Sequence, residues 1–173
     1  MTTITDSSRS FGAAIETGTT GATRLLRRAL HTEKRTAPAL LRITLGVIMF
    51  PHGAQHLLGW FGGFGFHGTH QWMTETLGFP ASLAALAIGV ELVAPIALVV
   101  GLGGRLAALG IAGLMVGAAS THLEHGFFMN WFGSLPAGAE GYEYHVLALA
   151  VAMAVAIQGS GAWSLDRAIV RSR

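Results

Sequence analysis

The stretch ASLAALAIGVELVAPIALVVG, residues 81–101, is an apolar run with one ionisable side chain, Glu91. A helix needs about 20 such residues to cross the hydrocarbon core of a bilayer. An isolated strand cannot cross, because its backbone amides and carbonyls would lack hydrogen-bond partners in lipid. The stretch therefore predicts a transmembrane helix with a carboxyl group near its middle.

Three further apolar segments accompany this run, at Pro38–Leu58, Arg105–Leu123 and Tyr144–Gln158. The chain has 173 residues, of which 51% are hydrophobic and 12% are charged, and its mean hydropathy is +0.52. Soluble domains carry about twice that share of charged residues. The segments are rich in Gly and Ala, which let helices pack closely in lipid. The sequence therefore predicts an all-α fold, an integral membrane four-helix bundle with a basic N-terminal arm.

The four segments divide the chain into an arm, a membrane domain and a tail. Residues 1–37 are predicted to be a flexible or amphipathic cytoplasmic arm, residues 38–167 the four-helix domain, and residues 168–173 a cytoplasmic tail. Within the arm, residues 22–31 (ATRLLRRALH) place leucines at helical spacing beside arginines. That pattern is typical of an amphipathic helix on an anionic membrane surface, and a short solvated helix fits it equally well.

The basic residues indicate how the helices are oriented. If the four helices alternate in direction, all 11 Lys and Arg residues lie on one side, and the loops at 59–80 and 124–143 contain none. The positive-inside rule then places both termini in the cytoplasm, and we expect a bacterial inner-membrane protein. The pI of about 9.7 does not indicate a nucleic-acid partner, because the charges form no stripe with interleaved aromatic residues. The expected partner is the lipid bilayer.

Histidines and acids gather on the opposite, outer side. Seven of the eight histidines fall there, namely His52, His56, His67, His70, His122, His125 and His145. Four glutamates accompany them, namely Glu75, Glu124, Glu140 and Glu143. This grouping is the strongest chemical feature of the sequence.

The outer histidines have four possible interpretations. His52 and His56 are four residues apart and His122 and His125 are three apart, so each pair shares a helix face and all four are candidate ligands of Cu, Zn or Fe. Two histidines from different helices would instead ligate a haem iron. Histidines beside carboxylates form proton relays, which a quinol releasing protons needs. Interfacial side chains without any ligand are the fourth interpretation.

Other chemistries are excluded by composition. The chain has no cysteine, which rules out thiol redox chemistry, iron–sulfur clusters and covalent c-type haem attachment.

Glu91 is a second candidate for function. A carboxyl group in the middle of a span is unfavourable in lipid unless it is neutral, paired or hydrated, and such residues usually face the bundle interior. The structural alternative is a neutral carboxyl bonded to Gln55 or His52 on another helix. Pro95 removes the hydrogen bond that the Glu91 carbonyl would normally accept, which predicts a bend and a polar notch beside the acid.

Three charged residues near the cytoplasmic ends predict a structural clamp. Arg42 lies in the first turns of the first span and Arg105 opens the third, so both reach the same interface. Asp166, just past the fourth span, is expected to pair with one of them.

Several short motifs follow one another in a recognisable order. They are LRITLGVIMFPHGAQHLLGWFGG from Leu41, GFP from Gly78, Glu91 in the second span, GLGGRLAAL from Gly101, GYE from Gly141 and GSGAWSLD from Gly159. In this order and spacing they resemble the DoxX family of small four-helix bacterial membrane proteins, over about residues 38–167.

The resemblance implies membership of a membrane redox system. The family is named for a subunit linked with thiosulfate:quinone oxidoreductase, and other members are associated with membrane oxidoreductase complexes that deal with oxidative stress. The family pattern of Arg, His-Gly, Glu and Glu falls on Arg42, His52-Gly53, Glu91 and Glu143. Where the family often has a lysine shortly after His-Gly, this chain has His56, which favours a metal or haem interpretation.

We therefore expect a quinone-linked redox membrane protein or membrane subunit of an oxidoreductase, with a site toward the outer face. The candidate cofactor-binding residues are Arg42, His52, Gln55 and His56, and the candidate catalytic residues are Glu91, Glu143 and His145. A quinone suits an apolar cavity with a few titratable groups. Two alternatives stay open: a non-catalytic membrane anchor or assembly subunit, and a metal- or haem-binding module. We expect a protein partner in a membrane redox complex, and an oligomer is possible.

Overall fold

Every regular element in the described part of the chain is helical. The computed structural model describes residues 21, 25, 30–136 and 139–171. In chain order the helices are α1 (Thr36–Gly53, continued by a π-helical turn at Ala54–Leu58), α2 (Gly65–Gln71), α3 (Ala81–Val100), α4 (Gly104–Thr121), α5 (Glu143–Gln158) and α6 (Leu165–Arg171). Single helical turns at Trp60–Gly62, Trp72–Thr76 and Leu123–His125 complete the elements. The predicted all-α class is confirmed.

Three of these helices are long and apolar enough to cross a membrane, and a fourth is shorter. The three are α1 with its π-helical turn (Thr36–Leu58), α3 and α4, while α5 is an apolar helix of 16 residues. Large apolar side chains on the outward faces are well exposed, with Leu86 62%, Leu106 68% and Ile157 70% exposed. Such a surface is suited to lipid and not to water. The predicted membrane-embedded bundle is confirmed, and its boundaries lie close to those predicted.

Glycines bring α1 and α3 together in opposite directions. Gly46 packs against Pro95 and Leu98, and Gly53 packs against the backbone at Glu91. A side chain at Gly53 would collide with the α3 backbone, so this close approach requires glycine. Because the contacted residue numbers fall along α3 as they rise along α1, the two helices are antiparallel.

The centre of the bundle is filled by one apolar residue from each long helix, surrounded by alanines. Met49 of α1, Leu98 of α3, Ile111 of α4 and Val155 of α5 are each at most 1% exposed. Lipid gives little hydrophobic drive for helix association, so dense packing of these side chains holds the helices together.

Arg42 joins the ends of three helices at the basic end of the bundle. Its side chain is 0% exposed. The guanidinium donates to the carbonyls of Leu98 and Val99 at the end of α3, the latter at 2.8 Å, and to that of Ser160 at 2.9 Å. It also donates to the carbonyl of Trp163 at 3.0 Å. These carbonyls lie at helix ends and turns, where the regular hydrogen-bond pattern stops, so one buried arginine binds several of them at once.

Asp166 performs the complementary role at the start of α4. Its carboxylate accepts hydrogen bonds from the backbone N–H groups of Gly103 (2.7 Å) and Gly104 (3.1 Å) and from the Ser160 hydroxyl (2.6 Å). A carboxylate is favoured at the positive N-terminal end of a helix. The prediction of an ion pair between Asp166 and Arg42 or Arg105 is wrong. No such pair occurs among the described residues, because the Asp166 carboxylate is hydrogen-bonded to the start of α4.

Arg105 also binds backbone carbonyl groups and not an acidic side chain. Its Nη1 donates to the carbonyls of Ala156 and Ile157 near the end of α5, both at 2.6 Å. The three charged residues therefore form the predicted clamp through backbone contacts, at one end of the bundle.

The chain segment before α1 is attached to the same end. Thr32 Oγ1 accepts a hydrogen bond from Gly161 N at 2.6 Å, and the Arg35 carbonyl accepts one from Ala162 N at 2.9 Å. The start of α1 and the end of α5 therefore lie together, as alternation of the four helices requires. The predicted amphipathic helix at 22–31 lies mostly outside the described residues.

The segment 59–80, predicted as a loop, contains the short helix α2. Gly59 has a φ of +72°, a left-handed conformation that ends the π-helical turn and lets the chain fold back. The ring Nε2 of His70 in α2 lies 3.0 Å from the carbonyl of Ala81 at the start of α3. This segment therefore forms a structured cap on the end of the bundle opposite Arg42.

Candidate functional site

A cavity of about 730 Å³ opens within the half of the bundle opposite Arg42. Helices α1 to α5 all contribute to its wall, which is mostly apolar and includes Met49, Leu86, Val90, Leu109 and Leu114. The polar lining is small and consists of His52, His56, Thr69, Glu91, Thr121, His122, Glu140, Tyr144 and His145. An apolar cavity of this size with a few convergent polar groups is typical of a small-molecule site.

The central polar feature of the cavity is a pair between His56 and Glu91. The His56 Nδ1 lies 2.6 Å from the Glu91 Oε2, and the side chains are 36% and 16% exposed. His56 lies in the π-helical turn that continues α1, whereas Glu91 lies in the middle of α3. The pair therefore places a titratable imidazole–carboxylate unit deep among the helices, where it faces the cavity.

The structural partner predicted for Glu91 is wrong. Gln55 Nε2 instead donates to the carbonyl of Phe61 at 3.3 Å, and the ring of His52 lies beside Tyr144, with the ring centroids 6.4 Å apart. The π-helical turn, with its wider hydrogen-bonding pattern, changes the angular position of the residues after Gly53 relative to an α-helix. His52 and His56 therefore contact different helices, although both line the cavity.

The predicted polar notch beside Pro95 is occupied by backbone. Pro95 lies inside the continuous helix α3, and Gly53 of α1 packs against the carbonyl of Glu91 that Pro95 leaves free. This contact fixes α1 against α3 one turn before His56.

Three histidines cluster where α4 ends and α5 begins. The ring of His122 lies 4.6 Å from that of His145 and 6.2 Å from that of His125, measured between centroids. The His122 Nδ1 lies 2.8 Å from the carbonyl of Ala118. The Nδ1 of His125 is buried without a hydrogen-bond partner in the described part of the chain, and the ring of His145 interacts with the backbone of Tyr142. This histidine cluster therefore has a ring nitrogen, on His125, that is free to bind a proton or a ligand.

The four histidines predicted as metal ligands fall in two places. His56 pairs with Glu91, His52 lies beside Tyr144, and His122 and His125 belong to the histidine cluster. Across residues 30–136 and 139–171, no group of three or more His, Asp or Glu side chains is placed to hold a metal ion. A metal at these histidines stays a prediction.

Glu143 and Glu140 bind the loop that precedes α5. Glu143 Oε2 accepts from Met129 N at 3.3 Å and from Trp131 Nε1 at 3.5 Å, and Glu140 Oε2 accepts from Asn130 N at 2.7 Å. Glu140 lines the cavity. Glu143 orders the loop over the outer end, and its catalytic role stays a prediction.

Arg42 and Gln55 are placed differently from the other predicted binding residues. The guanidinium of Arg42 is directed to backbone carbonyls at the basic end of the bundle, and Gln55 is directed to the outer turn at Phe61. Thr69, Trp72 and Glu140 in the cavity wall were not predicted as site residues, although Glu140 belongs to the group of acids noted in the sequence. Thr69 and Trp72 lie in a Gly-rich segment with only a weak helical signal, so nothing in the sequence indicated that they line a cavity.

Comparison with known proteins gives one match. The DoxX family model matches residues 37–136, which is more than half of the chain and includes α1 to α4. No curated protein and no solved structure matches the chain.

Proposed function

The chain belongs to the DoxX family of membrane proteins, and on this premise we propose that it binds a quinone in the outer cavity as a membrane subunit of an oxidoreductase. The observation that carries this proposal is the His56–Glu91 pair, 2.6 Å apart, which faces an apolar cavity of about 730 Å³ inside a membrane bundle. A lipid-soluble ligand with a polar redox-active head fits such a site.

The walls of the cavity support entry from the bilayer. Leu83, Leu86 and Leu109 line the cavity and are 48%, 62% and 50% exposed, so the apolar wall continues onto the lipid-facing surface between α3 and α4. Gly113 and Gly117 of α4 line it too, and a side chain at either would meet open space. A ring with an isoprenoid tail would slide between these helices with its tail left in lipid.

The polar groups match the proton chemistry of quinones. Reduction of a quinone adds two electrons and two protons and forms an O–H bond at each of the two carbonyl oxygens. A soluble oxidoreductase partner would supply the electrons. His56, held by Glu91, would deliver a proton at one oxygen, because imidazole titrates near neutral pH. His122 and His145 line the same cavity and would supply the second proton, at the other oxygen, from the outer side.

The distribution of charge supports an orientation for this chemistry. The described Lys and Arg residues lie at one end of the alternating helices, the others precede α1 or follow α6 in the sequence, and the segments 59–80 and 124–143 contain none. By the positive-inside rule both termini would lie in the cytoplasm of a bacterial cell and the cavity toward the outer face of the inner membrane. The protein partner would dock at either face.

Titration of the purified protein with a short-chain ubiquinone tests the proposal. Trp72 lines the cavity, so bound quinone should quench its fluorescence in a saturable way, and Trp72→Phe should remove the saturable component. His56→Ala and Glu91→Gln should each weaken binding about 10- to 150-fold, since hydrogen bonds to charged groups contribute about 1.5–3 kcal/mol. Matched controls are His67→Ala and Glu124→Gln, whose side chains lie outside the cavity wall, and both should bind as the wild type does.

A second pair of variants tests the place of binding without altering any polar group. Gly113→Leu should fill the cavity and abolish saturable quenching, whereas Gly89→Leu, in open space outside the cavity wall, should leave it intact. Equal binding by His56→Ala, Glu91→Gln and the wild type would overturn the quinone site.

The histidine cluster supports a second candidate, a metal or haem module. The observation that favours it is the buried Nδ1 of His125, unpartnered within the described part of the chain, in a cluster with the rings of His122 and His145. Imidazole nitrogen is a ligand of Zn, Cu and Fe. Metal analysis and an absorbance spectrum of protein purified in mild detergent test this candidate. Stoichiometric metal or a Soret band that is lost in His122→Ala and His145→Ala would establish it. An anchor subunit would show neither, and no quinone binding.

A further inference from the structure

Helix α2 contributes a buried threonine to the wall of the cavity. Thr69 lies within α2, is 2% exposed, and lines the cavity. Its Oγ1 is buried and has no hydrogen-bond partner in the part of the chain that the structure describes. Buried hydroxyl groups are nearly always hydrogen-bonded, so an unpartnered one on a residue that lines a cavity points to a partner that reaches it from the cavity.

Other threonines on nearby helices satisfy their hydroxyls within the helix. Thr74 Oγ1 donates to the carbonyl of His70 at 2.9 Å, and Thr121 Oγ1 donates to that of Ala118 at 2.8 Å. Such bonds to a carbonyl three or four residues earlier are the usual solution for threonine in a helix. Thr69 does not make this bond, although carbonyls are available in its own helix.

The position of Thr69 is held by contacts on both sides of it. Gly63, just before α2, packs against the backbone of Gln55 in the π-helical turn. Beyond Thr69, His70 reaches the carbonyl of Ala81 at 3.0 Å and stacks on Phe66, with the ring centroids 5.4 Å apart. A polar group held in place by such neighbours is preorganised to meet a ligand.

We propose that Thr69 is a ligand-binding residue whose hydroxyl forms a hydrogen bond with a ring oxygen of the quinone, an inference that rests on the proposed function. A hydroxyl group serves both redox states, because it donates to the carbonyl of a quinone and accepts from the O–H of a quinol. Thr69 comes from α2, whereas His56 and Glu91 come from α1 and α3. Helix α2 is therefore a wall of the binding site and not only an external loop.

The test compares three variants at residue 69 in the full-length protein, in mild detergent, with short-chain ubiquinone as the probe. Thr69→Val keeps the shape of the side chain and removes the hydroxyl, and its binding should be about 3- to 10-fold weaker, the effect of one neutral hydrogen bond. Thr69→Ser retains the hydroxyl and should bind within about twofold of the wild type. Thr69→Ala should weaken binding as much as Thr69→Val does, and it replaces that variant if the valine disturbs the fold. Thr74→Val is the control for loss of a helix hydroxyl outside the cavity and should bind as the wild type does.

The unfolding temperature without quinone distinguishes a ligand role from a structural one. Since the hydroxyl has no partner within the described chain, Thr69→Val should unfold at the wild-type temperature or above it. A lowered unfolding temperature with unchanged binding would overturn the proposal and leave the quinone site standing, as would unchanged binding by both Thr69→Val and Thr69→Ala. Absence of saturable binding by the wild type would overturn both.

Discussion

Gly53 lies against the backbone of Glu91, and this contact sets the level at which His56 meets the Glu91 side chain. The close approach of α1 and α3 and the contact between His56 and Glu91 are therefore parts of one arrangement. The glycine permits the contact, and the π-helical turn that starts immediately after it directs the imidazole to the carboxylate.

The glycine contact predicts a difference between two identical substitutions. Gly53→Ala should destabilise the protein by about 1–3 kcal/mol, because the added carbon would force α1 away from the α3 backbone. Gly89→Ala, on α3 with open space around it, should be neutral or stabilise by up to about 1 kcal/mol. Unfolding in mild detergent, followed by circular dichroism, measures both. Equal stability of the two variants would show that the contact at Gly53 does not hold the helices together.

The His56–Glu91 pair predicts energetic coupling in a double-mutant cycle. His56→Ala and Glu91→Ala should each destabilise the protein, and the double variant should lose less than the sum, with a coupling energy of about 1–3 kcal/mol. The reason is that either single variant leaves the remaining partner without its hydrogen bond. The same detergent unfolding assay provides the four free energies. Additive losses would mean that the two side chains act independently.

Arg42 predicts that a conservative substitution is damaging. Arg42→Lys keeps the charge but loses the planar fork that reaches carbonyls on both sides, so we expect a loss of about 3 kcal/mol or more. Arg35→Lys is the matched control, because the side chain of Arg35 is 64% exposed and pairs only with exposed Glu33. Exposed pairs contribute about 0–1 kcal/mol, so this control should unfold near the wild-type temperature. A loss of less than 1 kcal/mol for Arg42→Lys, on the scale of that exposed pair, would contradict the clamp.

The orientation is open to a direct chemical test, because the chain contains no cysteine. Single cysteines at Thr76 and Ser134 should react with a membrane-impermeant maleimide added outside spheroplasts, whereas one at Leu102 should react only after lysis. All three positions are exposed. Labelling of Thr76→Cys and Ser134→Cys on different sides would contradict the alternation of the four helices.

The sequence was sufficient for the helices and their alternation because those features depend on composition and length. The four apolar runs and the grouping of basic residues can be read from the sequence without knowledge of tertiary contacts. Arg42, Arg105 and Asp166 were correctly grouped at one end for the same reason. Their partners were not predictable, because unpaired backbone carbonyls at helix ends carry no sequence signal.

The details of the site depended on local backbone geometry. The π-helical turn at Ala54–Leu58 has no sequence signature, so the contact between His56 and Glu91 was not predicted, and Gln55 or His52 was named as the structural partner. Helix α2 contains two glycines among its seven residues, which made it resemble a loop. Thr69 was missed with it. The closeness of His122 and His145 needed the relative positions of α4 and α5, which only the fold supplies.

Photoaffinity labelling with an azido-quinone tests the central claim, that a quinone binds beside His56 and Glu91, most directly. After illumination and proteolysis, mass spectrometry should locate the label on cavity residues of α3 and α4, such as Val90, Leu114 and Met115, and excess unlabelled quinone should displace it. Gly113→Leu should prevent this labelling. Label spread over outward residues such as Leu106 and Leu147, unaffected by competitor and by Gly113→Leu, would show that the quinone merely dissolves in the surrounding lipid or detergent and does not occupy the cavity.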